Sequence, residues 1–217
     1  MKAGSVVKIS YTGRVKETGE VFDTTDESVA RSEGAYNPRV KYGPVGVVVG
    51  AGHVIKGLDR ALEEMESGEE RELEIKPEDG FGERKGDLIQ TFSEREFRKQ
   101  NITPYPGMRI TVNNMMGRVL SVNSGRVRVD FNHPLAGKVL VYKLKIEEEV
   151  TDDRDKCKVI ASFYTGKDHD VEIKDGKVRI KGVPEPLRDR VSEEIKRYVG
   201  VKDVEFEDED KDKTEKK

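Results

Sequence analysis

The first 80 residues alternate apolar and polar positions in short runs, a pattern typical of β-strands with one buried face. These runs are SVVKISY (5–11), EVFDTT (20–25), PVGVVVGAG (44–52) and ERELEIKP (70–77). One segment between them has apolar residues at helical spacing and predicts a short helix that ends before Gly68. Those residues are Ile55, Leu58, Leu62 and Met65. The stretch 26–43 is rich in turn formers and predicts a long loop.

The pattern changes at about Asp87 and returns near residue 139. A small helix is predicted at SEREFRKQ, followed by three alternating runs that predict a separate β-rich unit. These runs are MRITVNN, GRVLSVN and RVRVDFN. The strand predicted at VLVYKLKIEEEV (139–150) again has apolar residues at every second position, like the strands of the first part. The order therefore predicts one domain interrupted by another.

A third unit is predicted after Val150. TDDRDK is expected to be a linker, with strands near 157–164, 171–174 and 177–182 and a hairpin turn at Asp175-Gly176. A helix is predicted after Pro186 and before Gly200, with VKDVEFE as a closing strand. The last eleven residues, 207–217, contain no hydrophobic residue and are expected to be disordered.

The charge balance argues against polyanionic partners. The 40 Lys and Arg against 43 Asp and Glu give a net charge of -3, so no attraction to a phosphate backbone or an anionic membrane is expected along the whole chain. We therefore expect neither nucleic acid nor membrane as a partner. Cys157 is the only cysteine, which excludes an internal disulfide and indicates a reducing, cytoplasmic location. No apolar run is long enough for a signal peptide or a membrane span.

The sequence offers little support for metal, phosphate or nucleophile chemistry. The three histidines, His53, His133 and His169, have no paired ligand spacing, so no metal and no cofactor are expected. The glycines at 50, 52 and 57 do not have the spacing of a phosphate loop and are interpreted as turn glycines. No Ser or Cys lies in a nucleophile elbow, and a triad assembled from distant residues stays open at this point.

Four segments resemble the successive signatures of FKBP-type peptidyl-prolyl isomerases across residues 4–150, with one gap. They are KISYTGRV, GEVFDTT, VVVGAGHVIKGLDRALEEMESGEERELEIKPEDGFGE and FNHPLAGKVLVYKLKIEEEV. The gap at 88–130 lies where the flap of the SlyD-like branch is interrupted, and NHPLAGK is typical of that branch. The third unit resembles the extra C-terminal domain of the long archaeal members.

The resemblance implies an α+β fold in four parts. An FKBP-like antiparallel sheet wrapped on a short helix is expected at 1–87 and 131–150, and a β-rich insert-in-flap chaperone domain at 88–130. A small α+β C-terminal domain is expected at 151–206, followed by a disordered charged tail at 207–217. The implied function is a prolyl cis-trans isomerase (rotamase) that also binds unfolded or proline-containing polypeptides and assists protein folding.

The resemblance also implies a proline pocket. Its catalytic residues would be Tyr11, Phe22, Asp23, Ile55, Phe81 and Tyr142, and its further substrate contacts Val45, Val47, Val54 and Leu58. The backbone N–H of Ile55 would hydrogen-bond the substrate, whereas Asp23 would either polarise the twisted carbonyl or tie down neighbouring side chains. Leu58 stands where the family often has Trp, and Phe81 where it often has Tyr. The lost hydroxyl is expected to cost about 0.5–1.5 kcal/mol of ligand binding, which affects macrolide affinity more than activity.

The insert has apolar residues of the flexible and aromatic kinds that suit binding to many sequences. Candidates for an exposed polypeptide-binding surface are Leu88, Ile89, Phe92, Phe97, Ile102, Tyr105, Met108, Met115 and Met116. Exposure is predicted most strongly for Met115 and Met116, because consecutive strand residues point in opposite directions and cannot both be core. The insert's own core is predicted to contain Ile110, Val112, Val119, Val127 and Val129.

Two other functions remain open from the sequence. One is a polypeptide-binding holdase with weak catalysis, indicated by the substitutions at Leu58 and Phe81. The other is an RNA- or ribosome-associated factor, indicated by Arg118, Arg126 and Arg128, although three arginines are a small basic surface. The regular apolar spacing of the last helix also makes a homodimer through the C-terminal unit a possibility.

Overall fold

The computed structural model describes residues 1–208 and divides into two compact units. The first, here called the core unit, joins Met1–Ile75 to the chain from Val139 onward, and the second, the insert unit, is Lys76–Lys138. Both mix helices with mainly antiparallel strands, so the predicted α+β class is confirmed. Within residues 1–208, no helix combines the length and the apolar character needed to cross a membrane.

A five-stranded antiparallel sheet forms the centre of the core unit. Its strands are β1 (Val6–Val15), β2 (Val21–Thr24), β3 (Val45–Val48), β4 (Glu70–Ile75) and β9 (Leu140–Val150). The order is β2-β1-β9-β4, and β3 pairs with β1. The ladder between β1 and β9 extends along the whole of β1, from Val6 opposite Val150 to Val15 opposite Leu140. The strand after the insert therefore completes the sheet that the first strands begin.

Helix α2 (Lys56–Glu64) packs on one face of this sheet. Its residues Leu58, Ala61 and Leu62 are buried, in agreement with the predicted helical spacing. Gly57 lies so close to β4 that an added Cβ would be 2.8 Å from Cγ2 of Ile75. The close approach accounts for glycine at this position, because any side chain would push the helix away from the sheet. A shorter helix, α1 (Glu27–Ser32), lies in the predicted loop and has Asp26 as its N-cap.

The C-terminal part of the chain packs on the opposite face of the same sheet. It consists of α4 (Asp153–Thr165), β10 (Val171–Lys174), β11 (Lys177–Lys181), α5 (Glu185–Val199) and β12 (Asp203–Glu207). One apolar cluster joins Val6, Val48 and Val150 of the sheet to Ile160 and Ile195 of the two helices. The three strands of the C-terminal part form a separate sheet in the order β10-β11-β12, with β12 parallel to β11.

Two sequence predictions for this part are wrong. Most of the residues expected to be a linker (151–156) and all of those expected to be a strand (157–164) belong to helix α4 instead, which begins at Asp153. Asp152 caps it by accepting a hydrogen bond from the backbone N–H of Asp155, and Gly166 ends it in the left-handed conformation. The strand β12 also includes Glu207, so the predicted disordered tail begins too early. Residues 209–217 lie outside the described part of the chain.

The insert unit is a four-stranded antiparallel sheet with one short helix, α3 (Glu94–Lys99). The strands are β5 (Ile89–Ser93), β6 (Arg109–Val112), β7 (Met115–Asn123) and β8 (Arg126–Asp130), in the order β5-β8-β7-β6. Of the predicted core, Ile110, Val119, Val127 and Val129 are buried and Val112 packs against them. Strand β5 was not predicted.

The predicted exposure of the insert's other apolar residues is only partly correct. Phe97 is buried in the core, and Phe92, Ile102 and Met108 pack against it. The reason is that α3 covers one face of the sheet, and the small core between them needs these side chains. Tyr105, Met115 and Met116 are exposed, by 62%, 41% and 70%, so the prediction for the two methionines is confirmed. The remaining candidates, Leu88 and Ile89, are half-buried.

Candidate active site

Three aromatic side chains from different strands meet on the face of the core sheet that carries α2. Tyr142 on β9 lies opposite Gly13 on β1, and Gly13 lies opposite Asp23 on β2. The ring centroids of Phe22 and Tyr142 are 5.6 Å apart at 81°, and those of Tyr11 and Tyr142 are 5.9 Å apart at 59°. Both are favourable edge-on or tilted arrangements. Sheet register thus assembles the aromatic cluster of Tyr11, Phe22 and Tyr142.

The rings of Phe22 and Tyr142 pack directly against Gly13. A Cβ at this position would lie 2.7 Å from Cζ of Phe22 and 2.9 Å from Cε1 of Tyr142. Both distances are shorter than any real contact of this kind, so a side chain at residue 13 would displace both rings. The sequence prediction missed this role, since the YTG motif alone does not show what packs on the glycine.

Asp23 is joined to the cluster by a hydrogen bond. The hydroxyl of Tyr11 donates to Oδ2 of Asp23 at 2.9 Å. Burial, together with the nearby charge of Asp23, raises the pKa of Tyr11 far above the ordinary value for tyrosine. Burial and then the same carboxylate also raise the pKa of Tyr142. Both phenols therefore keep their protons at physiological pH, which leaves Tyr11 as a donor to an exposed carboxylate.

The predicted floor of the pocket is the start of α2 and the loop before it. Leu58 is buried, whereas Val54 and Ile55 are half-buried, and Ile55 is the N-cap residue directly before the helix. Asp59, in the first turn, accepts hydrogen bonds from the backbone N–H of Gly50 at 2.7 Å and of Gly52 at 3.1 Å. This carboxylate fixes the loop that leads to Val54 and Ile55, and the sequence prediction did not single it out.

The two predicted valines of β3 lie on the same sheet face as the aromatic cluster. Val45 is opposite Ile9 and Val47 is opposite Val7, and Ile9 is two residues from Tyr11 on β1. Val47 is buried and Val45 half-buried. Alternation along β1 therefore places these positions in one row of side chains with Tyr11.

His53 is a third residue that the sequence prediction missed. Its Nδ1 accepts the backbone N–H of Val48 at 3.1 Å, and its Nε2 lies 2.9 Å from a carboxylate oxygen of Glu194 on α5. Its ring stacks on Phe163 of α4 with centroids 3.8 Å apart. The C-terminal helices therefore hold the residue directly before Val54. The partner is 141 positions away in the sequence, so no local pattern could indicate it.

Phe81 lies in the insert unit, not in the core unit with the other predicted catalytic residues. Its ring stacks on that of His133 with centroids 4.4 Å apart. The assignment of Phe81 to the pocket stays a prediction.

A broad depression of the core unit borders Tyr11, but its chemistry differs from that of the aromatic cluster. Neither Phe22 nor Tyr142 contributes to its wall, which is mostly polar and charged. It includes Ser10, Thr12, Glu70, Lys143, Lys145 and Glu147. Such a surface stays hydrated and is a poor place to hold a proline ring in a dry environment.

The arrangement of titratable residues gives no support for metal chemistry. Among residues 1–208, no three His, Cys, Asp or Glu side chains come together in a way that could hold a metal ion. His53 and His133 stack on aromatic rings. His169 is buried and hydrogen-bonds the hydroxyl of Thr165 and the carbonyl of Lys181. The three histidines thus have structural partners.

Comparison with known proteins gives consistent matches. Residues 1–100 match the family of FKBP-type peptidyl-prolyl cis-trans isomerases, and residues 94–135 match the IF domain of FKBP26. A short-type peptidyl-prolyl cis-trans isomerase of Methanocaldococcus jannaschii is 37% identical over 148 residues, which cover 68% of this chain and 93% of that protein. The FKBP-type isomerase SlyD of Treponema pallidum is 34% identical, and the match covers 68% of this chain and 78% of the relative.

Proposed function

Because the chain belongs to the family of FKBP-type peptidyl-prolyl cis-trans isomerases, we propose that Tyr11, Phe22 and Tyr142, with the loop at Ile55, form its proline-binding cleft. Membership confirms the resemblance predicted from the motifs and makes the chain a peptidyl-prolyl cis-trans isomerase. The observation that best supports this location is the packing of two aromatic rings on the bare backbone of Gly13. It fixes the ring faces that would contact the proline.

The reaction rotates one amide bond and breaks none. Its barrier is about 18–20 kcal/mol, because the planar amide is stabilised by resonance that the twisted form loses. The twisted amide also has a smaller dipole, so an apolar surface favours it relative to the planar form. In the proposed cleft, the aromatic cluster supplies this surface and holds the ring. The backbone N–H of Ile55, at the start of α2, donates to a substrate carbonyl and fixes the direction of the bound chain.

Asp23 acts in this proposal mainly by positioning Tyr11. The hydrogen bond from the Tyr11 hydroxyl supports this role over direct polarisation of the substrate. We expect Asp23→Ala to lower kcat/KM on a short proline peptide by about two- to tenfold, the equivalent of one hydrogen bond. Tyr11→Phe removes the same bond and should have a similar effect. If Asp23→Ala impairs the enzyme and Tyr11→Phe does not, the carboxylate acts directly on the substrate.

The location of the cleft can be tested with a single added methyl group. Gly13→Ala places a Cβ within 2.9 Å of both Phe22 and Tyr142 and must displace them. Gly86→Ala is the matched control, since nothing lies within 4 Å of a Cβ there. We expect Gly13→Ala to reduce kcat/KM on a short proline peptide at least about tenfold while circular dichroism shows a folded chain. Full activity in a folded Gly13→Ala protein would place the cleft elsewhere.

The insert unit is proposed to bind unfolded polypeptide and deliver it to the isomerase. The support is the exposure of Tyr105, Met115 and Met116, which are large apolar side chains outside the insert core. Changing Met115 and Met116 to Ser should leave turnover of a short peptide unchanged and slow the proline-limited refolding of a protein substrate. Equal rates in both assays for the variant and the unaltered protein would contradict this role.

Two further proposals concern the whole chain. We place it in the cytoplasm, supported by its single, free and buried Cys157.

We also propose that the C-terminal part pairs with a second copy, supported by the partly exposed Phe163 and Ile173. Sedimentation equilibrium tests the pairing, and a monomer mass at micromolar concentration would exclude it.

A further inference from the structure

Four arginines lie on one face of the insert sheet. They are Arg109 on β6, Arg118 on β7, and Arg126 and Arg128 on β8, and all four are exposed. They alternate along their strands with the buried Ile110, Val119, Val127 and Val129, which point into the insert core. The arginines therefore occupy the other side of the sheet, here called the open face.

The positions of these arginines are unfavourable for folding alone. Arg109 and Arg118 are directly opposite each other on antiparallel strands. Facing residues of this kind have Cβ atoms about 4.5–5.5 Å apart, and like charges there destabilise the sheet. Arg126 and Arg128 follow each other on the same face at about 7 Å along one strand. A cost of this kind without a structural benefit indicates that the charges serve a ligand.

No carboxylate on this face neutralises the four guanidinium groups. Asp130 faces Arg118 across the ladder, but its carboxylate is held by Arg84 and by Asn132. Burial alone would raise the pKa of Asp130, but the hydrogen bonds from Asn132 and Arg84 lower this pKa overall. The carboxylate is therefore charged and already paired with these two residues. Among residues 1–208, no ion pair involves any of the four arginines. From residue 97 to 129 the sequence contains six Lys and Arg and no Asp or Glu.

The open face also has an apolar component. Met116 is opposite Thr111 and two residues before Arg118, so it lies on the same side of the sheet as the arginines. It is 70% exposed. A ligand that covered this face would therefore meet an unbranched, adaptable apolar side chain beside several fixed positive charges.

We propose that the open face binds acidic segments of unfolded polypeptide, in which Asp or Glu flank apolar residues. The proposal rests on the polypeptide-binding role given above to the insert unit and names the class of client. Guanidinium groups bind carboxylates through paired hydrogen bonds, and a bound carboxylate between Arg109 and Arg118 would remove their mutual repulsion.

Polypeptide fits this face better than nucleic acid does. The register puts no aromatic side chain on the open face, whereas proteins that bind single strands stack bases on aromatic rings. The basic excess is also small, since residues 76–138 contain eleven Lys and Arg against seven Asp and Glu. A modest excess of positive charge is enough to bind a few carboxylates, but it would bind a phosphate backbone only weakly.

The test uses the full chain and two fluorescent disordered peptides with the same apolar centre. One has Glu on both sides of that centre and the other has Lys. Arg118→Glu combined with Arg128→Glu reverses the charge of the open face. Arg95→Glu is the control, because Arg95 is exposed on α3, which packs on the other side of the sheet. Binding is measured by fluorescence anisotropy at low and at high salt.

We expect the Glu peptide to bind the unaltered protein roughly tenfold more tightly than the Lys peptide at low salt, and this ratio to shrink at high salt. The double variant should invert the preference, and Arg95→Glu should keep it. Equal binding of both peptides to all three proteins overturns the client class but leaves polypeptide binding intact. If neither peptide binds and an oligouridine does, with loss in the double variant, the face serves nucleic acid and both proposals fail.

Discussion

Glu194 on α5 joins the C-terminal helices to the loop before the proposed cleft. It accepts hydrogen bonds from Nε2 of His53 and from the hydroxyl of Tyr164. Because Val48 N–H donates to the other ring nitrogen of His53, the proton lies on Nε2 and points at Glu194. The side chain of His53 is 3% exposed and that of Glu194 is 15% exposed. Glu194→Ala would leave two donors without an acceptor where little water reaches.

The expected loss of stability follows from these contacts. A buried donor without a partner costs about 1–3 kcal/mol, so two of them cost about 2–6 kcal/mol, and the lower part of this range is expected because Tyr164 is only half-buried. Glu194→Gln keeps one acceptor and should lose less. Asp168→Ala is the matched control: it also removes a carboxylate from the C-terminal part, but its pair with Lys41 is 85% and 75% exposed. Pairs of that kind contribute almost nothing to stability.

The free energy of unfolding is measured by urea titration with circular dichroism, and kcat/KM on a short proline peptide is measured beside it. We expect Glu194→Ala to lower both, because His53 directly precedes Val54 and Ile55. The reasoning is refuted if Glu194→Ala and Asp168→Ala unfold at the same urea concentration. It is refuted in its functional part if Glu194→Ala is less stable and fully active under conditions where it is folded.

Two predictions concern ionisable groups. Isomerase activity on a short peptide should be constant between about pH 6 and 9, because burial raises the pKa of Tyr11 and Tyr142 and neither loses its proton there; a sigmoidal step within that range would show that a titrating group takes part. Burial raises the pKa of Cys157 to about 12, and its side chain is fully buried, so the native thiol should not react with a disulfide reagent at about pH 8. Rapid labelling of the folded protein would contradict the packing of the C-terminal helices.

The sheet and α2 could be predicted from the sequence because their patterns are unambiguous. Strand β9 alternates from Leu140 to Ile146, and the apolar residues of α2 repeat at helical spacing. Helix α4 could not, because CKVIASFY is a short apolar run, which fits a buried strand and a helix face equally well. The cap at Asp152 is the available signal, but it lies among other charged residues, a composition that is typical of a linker.

The candidate site likewise has residues that the sequence identifies and residues that only the structure reveals. Tyr11, Phe22 and Tyr142 could be named because family motifs carry them, and sheet register then brings them together. The contacts that hold the site could not be named. Gly13 is important because two aromatic rings pack on it, and His53 because it hydrogen-bonds a carboxylate 141 residues away. Each of these contacts depends on packing between distant segments. Phe97 was expected on the surface because composition does not show which side of a sheet a helix covers.

Strand β3 connects the two faces of the core sheet, and Gly46 is the point where this can be tested. Val47 points to the side of α2, whereas Gly46 and Val48 face the C-terminal helices, and Val48 N–H binds His53. A Cβ at Gly46 would lie 2.4 Å from Cγ1 of Val159 on α4. Gly46→Ala must therefore shift α4 or β3, at a cost of about 1–3 kcal/mol.

We expect Gly46→Ala to speed the labelling of Cys157 and to lower both stability and isomerase activity, with Gly86→Ala unchanged in all three. The effect on activity is the informative one, because Gly46 is remote in sequence from the aromatic cluster and acts only through β3, His53 and the loop. Faster labelling with full activity would mean that the C-terminal helices stabilise the sheet without influencing the cleft. Unchanged labelling would mean that contact with β3 does not hold α4 in place.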